Sequence, residues 1–380
     1  MTSLERVVKA LQGEEPDRIP SDLGTTLVTG ITRGAYRQLV MAGEIAVEPV
    51  TLYDVAQQLP EVDEALLRHL EVDTRGLIPN IARKSPQIVK KGDAEFFTDE
   101  WGLVWKRPKG ALYFDVVENP LDGQIEAGDI EAFPWPDPMD ESLMEGLSEK
   151  AERFYEEGRP VILESICAGV FEMCCRMRGT EQFCMDLALD TELACALMDK
   201  FVELKIDFYR LAAEDLNGRI QFIREGDDVA GQESLMISPQ IYRRFLKPRH
   251  ARLFEAQREI FDDPFFGFFH SDGAIRELIG DFIEIGVDVL NPLQANAKGM
   301  EPAALKRDFG DRISFWGGAV DPILLAEGTP AEVREQVRER LGALAPGGKY
   351  IFGTVHNVQD DVPVENFLAM WETYNEMKAY

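Results

Sequence analysis

Two short segments, Phe268-Phe269-His270-Ser271-Asp272-Gly273 and Phe352-Gly353-Thr354-Val355-His356-Asn357, each end an apolar, strand-like run at a histidine followed by small or polar residues. The chain has four histidines, so two at comparable strand ends concentrate the signal. His270, Asp272 and His356 together offer two imidazoles and a carboxylate, the donor set of catalytic zinc sites that keep a fourth position open. A single histidine at such a place more often satisfies a buried backbone group, but the pair reverses that preference. His69 and His250 fall on predicted helices among charged neighbours and are expected at the surface. The other polar residues that follow apolar runs are Asp22, Glu164, Glu225 with Asp227 and Asp228, Asn291 with Gln294, and Asn357. Glu164 comes straight after Val161-Ile162-Leu163, and a carboxylate there needs a partner if buried. Glu225-Gly226-Asp227-Asp228 reads equally as a solvated turn or as part of a pocket. Asn291 and Gln294 read as pocket-lining hydrogen-bonding groups, with a helix cap as the competing role for Asn291.

Side chains at strand ends need a frame that brings those ends together. Beyond residue 155 the chain repeats a short apolar run, turn residues and an amphipathic helix. Pro160 to Ser165, Ile220 to Glu225, Pro264 to His270, Val287 to Pro292, Ile313 to Gly317 and Tyr350 to Thr354 are predicted strands, and Ile19 to Leu23 is an earlier one. Helices are expected over Gln240 to Glu259, Ala274 to Ile285 and Pro330 to Leu344, the last opened by Thr329-Pro330. Strand-helix alternation with crossovers of this length implies parallel strands, and the number of units favours a closed (β/α)8 barrel of the TIM type over an open sheet. Such barrels carry their chemistry at the carboxyl ends of the strands, where Asp22, Glu164, Glu225, His270, Asn291 and His356 would converge. The first residues, Met1 to Leu11, predict an amphipathic N-terminal helix. Residues 45–150 are irregular and are taken as an insertion covering the barrel mouth, with a small hairpin at Asp99 to Lys106 and a proline-rich loop or linker at Phe133 to Pro138.

Composition sets limits. The 380 residues, 45 % of them hydrophobic, suit a single elaborated barrel domain over 1–380. The formal net charge is −28, with acids spread along the whole chain, and no basic stripe exists to neutralise phosphates, so nucleic acid is not an expected partner. No run approaches the roughly 18 apolar residues of a membrane span, and the N-terminus lacks a signal peptide's apolar core, so a cytoplasmic protein is expected. The cysteines (Cys167, Cys174, Cys175, Cys184, Cys195) match neither a disulfide framework nor paired zinc knuckles and are expected to be buried thiols. No glycine-rich nucleotide fingerprint follows a strand, and no G-x-S-x-G motif supports a serine nucleophile.

Several segments together resemble the uroporphyrinogen decarboxylase superfamily. They are Arg6 to Pro20, Ile237-Ser238-Pro239-Gln240-Ile241-Tyr242, His270-Ser271-Asp272-Gly273, Ile285 to Gln294, and His356 followed by Val362-Pro363-Val364-Glu365-Asn366. The resemblance covers nearly the whole chain and implies a TIM-type barrel. It implies two chemistries as well: cofactor-free decarboxylation of a tetrapyrrole, or zinc-dependent methyl transfer involving a corrinoid on another protein. The decarboxylases of the family show an Arg-x-x-Gly-Arg clamp after the first strand; here Ser21-Asp22-Leu23-Gly24-Thr25-Thr26 stands in its place, a poor match for a polycarboxylate.

In the methyltransferases that this chain resembles, zinc is held by His-x-Cys and a later Cys. The matching positions here are His270, Asp272 and His356, so both thiolates are replaced by a harder donor set and a more Lewis-acidic metal is implied. The expectation is demethylation of a small methylated substrate, such as a methoxylated aromatic, with the methyl passing to cobalamin on a corrinoid protein. Glu225 or Glu164 is the expected fourth ligand or proton donor, Asp22 a further catalytic candidate, and Asp227, Asn291, Gln294 and Trp101 are expected at the substrate. A homodimer is implied by the family alone. The competing readings are a metal-free decarboxylase of uroporphyrinogen or another small acid, in which Asp22 and the histidines handle protons, and a family member that binds without catalysing.

Overall fold

The computed structural model describes residues 1–47, 51–83 and 86–380. Its centre is a parallel sheet of seven strands, β1 (Arg75–Leu77), β2 (Val161–Glu164), β3 (Phe222–Gly226), β4 (Phe268–His270), β5 (Val289–Asn291), β6 (Ser314–Trp316) and β7 (Tyr350–Ile351), each beside the next in chain order. The segment around Ser21 closes the ring. Asp22 donates its N–H to Phe352 and Phe352 its N–H to Pro20, both at 2.8 Å, while on the other edge Asp73 N–H reaches the Ser21 carbonyl at 3.1 Å. Eight segments therefore form the barrel, as the strand-helix alternation implied.

Period-two alternation decides what fills it. Ile162, Phe222, Phe268, Val289, Trp316 and Ile351 point inward and form a separate apolar cluster with Val7 and Leu11. Those last two lie on helix α1 (Ser3–Leu11), whose N-terminus is fixed by a Thr2/Glu5 capping box, so α1 plugs the amino-terminal end of the barrel. The other end is left to polar residues.

The stretch 45–150, expected as an insertion, contains the barrel strand β1. It was illegible because Arg75-Gly76-Leu77 has no apolar run: Arg75 is buried against Glu64 at 2.8 Å, and a Cβ on Gly76 would stand 1.9 Å from the Thr25 carbonyl oxygen. Other parts of this stretch pair a small hairpin (Leu52–Asp54 with Leu59–Pro60) and build a four-stranded antiparallel sheet from Val89–Lys91, Ala94–Thr98, Val104–Pro108 and Asp115–Glu118. The hairpin expected near Asp99 is present, its turn set by Asp99 Oδ1 accepting from the N–H groups of Trp101 and Leu103.

Three helices bear on the site: α2 (Val170–Arg178), α3 (Thr191–Leu216) and α4 (Lys247–Ile260). The helix expected over Gln240 to Glu259 is present, with a π-turn inside it. Pro239–Ile241 is followed by a π-turn at Tyr242–Leu246 before α4 begins. Among the described residues, no helix is long and apolar enough to cross a membrane.

Candidate functional site

His270 closes β4, and its partner in register on β3 is Gly226. A Cβ at Gly226 would lie 2.7 Å from His270 Cβ, so glycine is what allows the imidazole to turn into the barrel mouth. On the other side β5 places Asn291 in register with His270. Asn291 Nδ2 donates to the Trp316 carbonyl at 3.1 Å, which turns Oδ1 toward His270 Nδ1 at 2.7 Å. That oxygen can only accept, so Nδ1 carries a hydrogen, and in the neutral ring the lone pair is on Nε2. Nε2 faces Asp272 Oδ2 at 3.6 Å and Asp228 Oδ1 at 4.0 Å.

His356 arrives from beyond β7, its ring 5.5 Å from that of His270. Among the described residues it has no hydrogen-bond partner. The donor atoms of His270, Asp272 and His356 lie within 4.8 Å of one another, so the three residues expected as metal ligands do come together.

Electrostatics separates the two imidazoles. Burial opposes charge on His270, but pairing with Asp272 and the charge of Asp228 outweigh it and hold its pKa up at about 9. Asp272 is correspondingly held below the usual carboxylate range despite burial. Burial pushes His356 down, Asp272 opposing and His270 reinforcing the shift. Asp228 is raised to about 7 by burial and by the negative charge of Glu172 on α2, with Asp272 adding to the effect. The pattern, two carboxylates and two imidazoles pushed apart in basicity, is characteristic of sites that handle cations and protons.

Other expected site residues land elsewhere. Glu225 points out of the barrel into the layer under α3, where Lys205 Nζ (2.8 Å), Tyr209 Oη (2.7 Å) and Ser165 Oγ (2.8 Å) all donate to it. Expected as a metal ligand or acid, it is instead a buried packing partner. Glu164 does face inward, but Arg224 Nε and the Leu27 N–H occupy its two oxygens. Asp22 is sealed at 1 % exposure and accepts from Thr25, Thr74 and Trp316 Nε1; burial raises its pKa against those donors. Asp227 caps α2 through the N–H groups of Phe171 and Glu172 and takes a hydrogen bond from His250 Nε2 at 2.9 Å. His250, expected at the surface, is 1 % exposed, whereas His69 is exposed. Gln294 accepts from the Gly273 N–H at 2.7 Å and so fixes the loop that carries Asp272. Trp101 packs in a cluster with Trp135 and Phe201 and is buried there. The cysteines are all free, and Cys167, Cys174 and Cys175 are buried.

A cover lies over the mouth. The loop 24–30 is pinned by Glu164 at Leu27, and by Asn357, which accepts from the Gly30 N–H at 2.6 Å and donates to the Leu27 carbonyl and Gln57 Oε1, each at 2.8 Å. Tyr53 from the small hairpin donates to the Thr26 carbonyl at 3.2 Å. Two clefts flank this region, one of about 790 Å³ between residues 233–239 and Arg276, the other of about 570 Å³ between Tyr53 and Lys150; neither is lined by the triad.

Fold and site together define a parallel α/β barrel with a polar, histidine-bearing mouth. Residues 116–377 match the family described as uroporphyrinogen decarboxylase (URO-D), and the chain belongs to that family. No curated protein sequence matches it. Among solved structures, a methyltransferase from Methanosarcina mazei is similar over 99 % of both chains, with a TM-score of 0.66 and 19 % identity, which shows a shared fold. Xylanase B from Clostridium stercorarium F9 aligns over 67 % of this chain and 96 % of its own, at 10 % identity and a TM-score of 0.33, too remote to add to the argument.

Proposed function

We propose that this chain is a corrinoid-dependent methyltransferase that demethylates a small methylated compound, such as a methoxylated aromatic, with zinc on His270, Asp272 and His356. The observation that carries the reading is the convergence of those three donor groups within 4.8 Å at the strand ends. Asn291 presents His270 Nε2 in the tautomer a metal requires. A donor set of two nitrogens and one oxygen fits zinc, which when bound supplies Lewis acidity toward the heteroatom bearing the methyl group.

The chain's own residues do the rest. Asp228, nearer the triad than Glu225 or Glu164 and raised to about 7, is placed to deliver a proton from its carboxyl group, whose Oδ1 accepts from the Asp272 N–H, to the demethylated heteroatom. The pinned loop 24–30 and the 51–60 hairpin exclude water from the mouth. A corrinoid protein is the methyl acceptor, and cytoplasmic location and a homodimer belong to the same reading, as does a single domain with residues 45–150 contributing the cap. The competing decarboxylase reading loses support because Asp22, which with the histidines was to handle its protons, is sealed by three donors.

Elemental analysis of protein purified without chelator tests this, alongside His270→Ala and His356→Ala. About one zinc per chain, lost in both variants, is expected, followed by methyl transfer from methoxylated aromatics to free cob(I)alamin. A metal-free chain that also fails to take up added zinc would refute it.

A further inference from the structure

One charged residue in the barrel mouth has no part in the site so far. Arg224 lies on β3 two residues before Gly226 and in register with Phe268 and Glu164, so it points inward. It is 4 % exposed. Glu164 Oε1 holds one edge of the guanidinium, through Nε and Nη2, and Glu164 is itself held by the Leu27 N–H at 2.8 Å. The fork is therefore fixed in direction. Nη1 has no partner among the described residues, yet it is absent from the side-chain atoms that are sealed without one; it opens onto the space at the mouth. The next inward position toward the mouth on β3 is Gly226, which carries no side chain to cover the guanidinium. His356 of the triad and Tyr53 of the cover both feel the Arg224 charge, so the guanidinium lies near both.

We infer that Arg224 is the anion-binding element of this mouth, and that the methyl-bearing substrate is a small carboxylate whose acid group meets the free edge of Arg224. The inference rests on the reading of the barrel mouth as the active site. A buried arginine whose one edge is neutralised and oriented by a carboxylate, and whose other edge is open, is pre-organised for a planar anion. Glu164 is then a positioning residue that aims the fork, in place of the acid or ligand expected from the sequence.

The test is equilibrium binding by calorimetry, without corrinoid, so that it stands apart from methyl transfer. The probes are 4-methoxybenzoate, benzoate, acetate and the neutral 4-methoxybenzamide. The wild-type chain should bind 4-methoxybenzoate about tenfold or more tightly than the amide. Because Arg224→Gln alone leaves Glu164 buried and unpaired, the informative variant is Arg224→Gln/Glu164→Gln, whose amides can still pair. It should lose the preference for the acid, while Glu164→Gln alone, with the arginine kept and its competitor neutralised, should retain or strengthen it. Equal binding of acid and amide by the wild type, an undiminished preference in the double variant, or no uptake of any of the carboxylates would each overturn the inference. Zinc content measured on the same samples reports on the metal reading independently.

Discussion

Replacing Asn291 by leucine should weaken zinc binding without touching a ligand. Asn291 is fully buried, and both ends of its amide are used, Oδ1 on His270 Nδ1 at 2.7 Å and Nδ2 on the Trp316 carbonyl at 3.1 Å. Leucine of similar size leaves one buried donor and one buried acceptor unpaired, at about 1–3 kcal/mol each, so the fold should lose about 2–6 kcal/mol. The effect on the metal comes from the tautomer. Without an acceptor at Nδ1, the His270 hydrogen can reside on Nε2, the nitrogen that faces Asp272 and Asp228, and the ring loses its fixed direction. Orienting partners of this kind are worth about 10- to 100-fold in metal affinity. The assay is competition against a chromophoric chelator, with urea unfolding of the same protein to ensure that only folded chain is compared. Asn291→Asp, which keeps an acceptor at Nδ1, should hold affinity within a few-fold. Zinc affinity in folded Asn291→Leu equal to wild type would refute the orientation argument.

The metal-free chain should lose stability as pH rises from about 6.5 through about 9, because His270 is raised in the folded state and its contribution is complete only below the unfolded value. The loss is up to about 3 kcal/mol by urea unfolding, and a profile as flat as that of His270→Ala would count against it. Zinc uptake at pH 7.5 should release about one proton in weakly buffered indicator solution, since His270 must surrender its charge to bind; no release would mean that the imidazole was already neutral. Gly226→Ala, whose Cβ would meet His270 Cβ at 2.7 Å, should reduce zinc affinity at least as much as Asn291→Leu. An unchanged affinity would show that β3 and β4 can spread. Lys205→Met should destabilise the chain by about 3–5 kcal/mol by leaving the buried Glu225 without its ammonium partner, yet leave zinc stoichiometry per folded chain intact; lost zinc would return Glu225 to the site.

The barrel was legible because its later strands are short apolar runs punctuated by turns, and the helix from Pro330 because Thr329-Pro330 marks its start, where Thr329 and Glu332 form a capping box. The convergence of His270, Asp272 and His356 was legible because histidine is scarce. What escaped reading was tertiary. His250 sits among charged residues in the sequence, but the π-turn before α4 and the buried Asp227 draw it inside. Strand β1 escaped because its core position is filled by a charged side chain with a remote partner and by a glycine under a remote carbonyl. No local pattern encodes either partner. Trp101 reads as an aromatic over a pocket, whereas its place is set by Trp135 and Phe201, which lie far along the chain.

The misplacement of Glu225 has a single physical cause, the two-residue period of a strand. Once His270 faces inward, register fixes its neighbours: Gly226 and Asn291 share its level, and two residues back Arg224 and Glu164 share the level of Phe268. Glu225 must then face the helices, where a carboxylate is tolerable only with Lys205, Tyr209 and Ser165 around it. Beyond Gly226 the strand ends, and Asp227 turns back to cap α2 while Asp228 remains at the mouth. A strand-end cluster such as Arg-Glu-Gly-Asp-Asp is thus sorted between chemistry and architecture by parity, with the less conspicuous member of each pair taking the site. The sorting also explains why the mouth holds a guanidinium in a chain of net charge −28: an inward arginine one layer below His270 is stable there only because Glu164, on the adjacent strand, has the same parity.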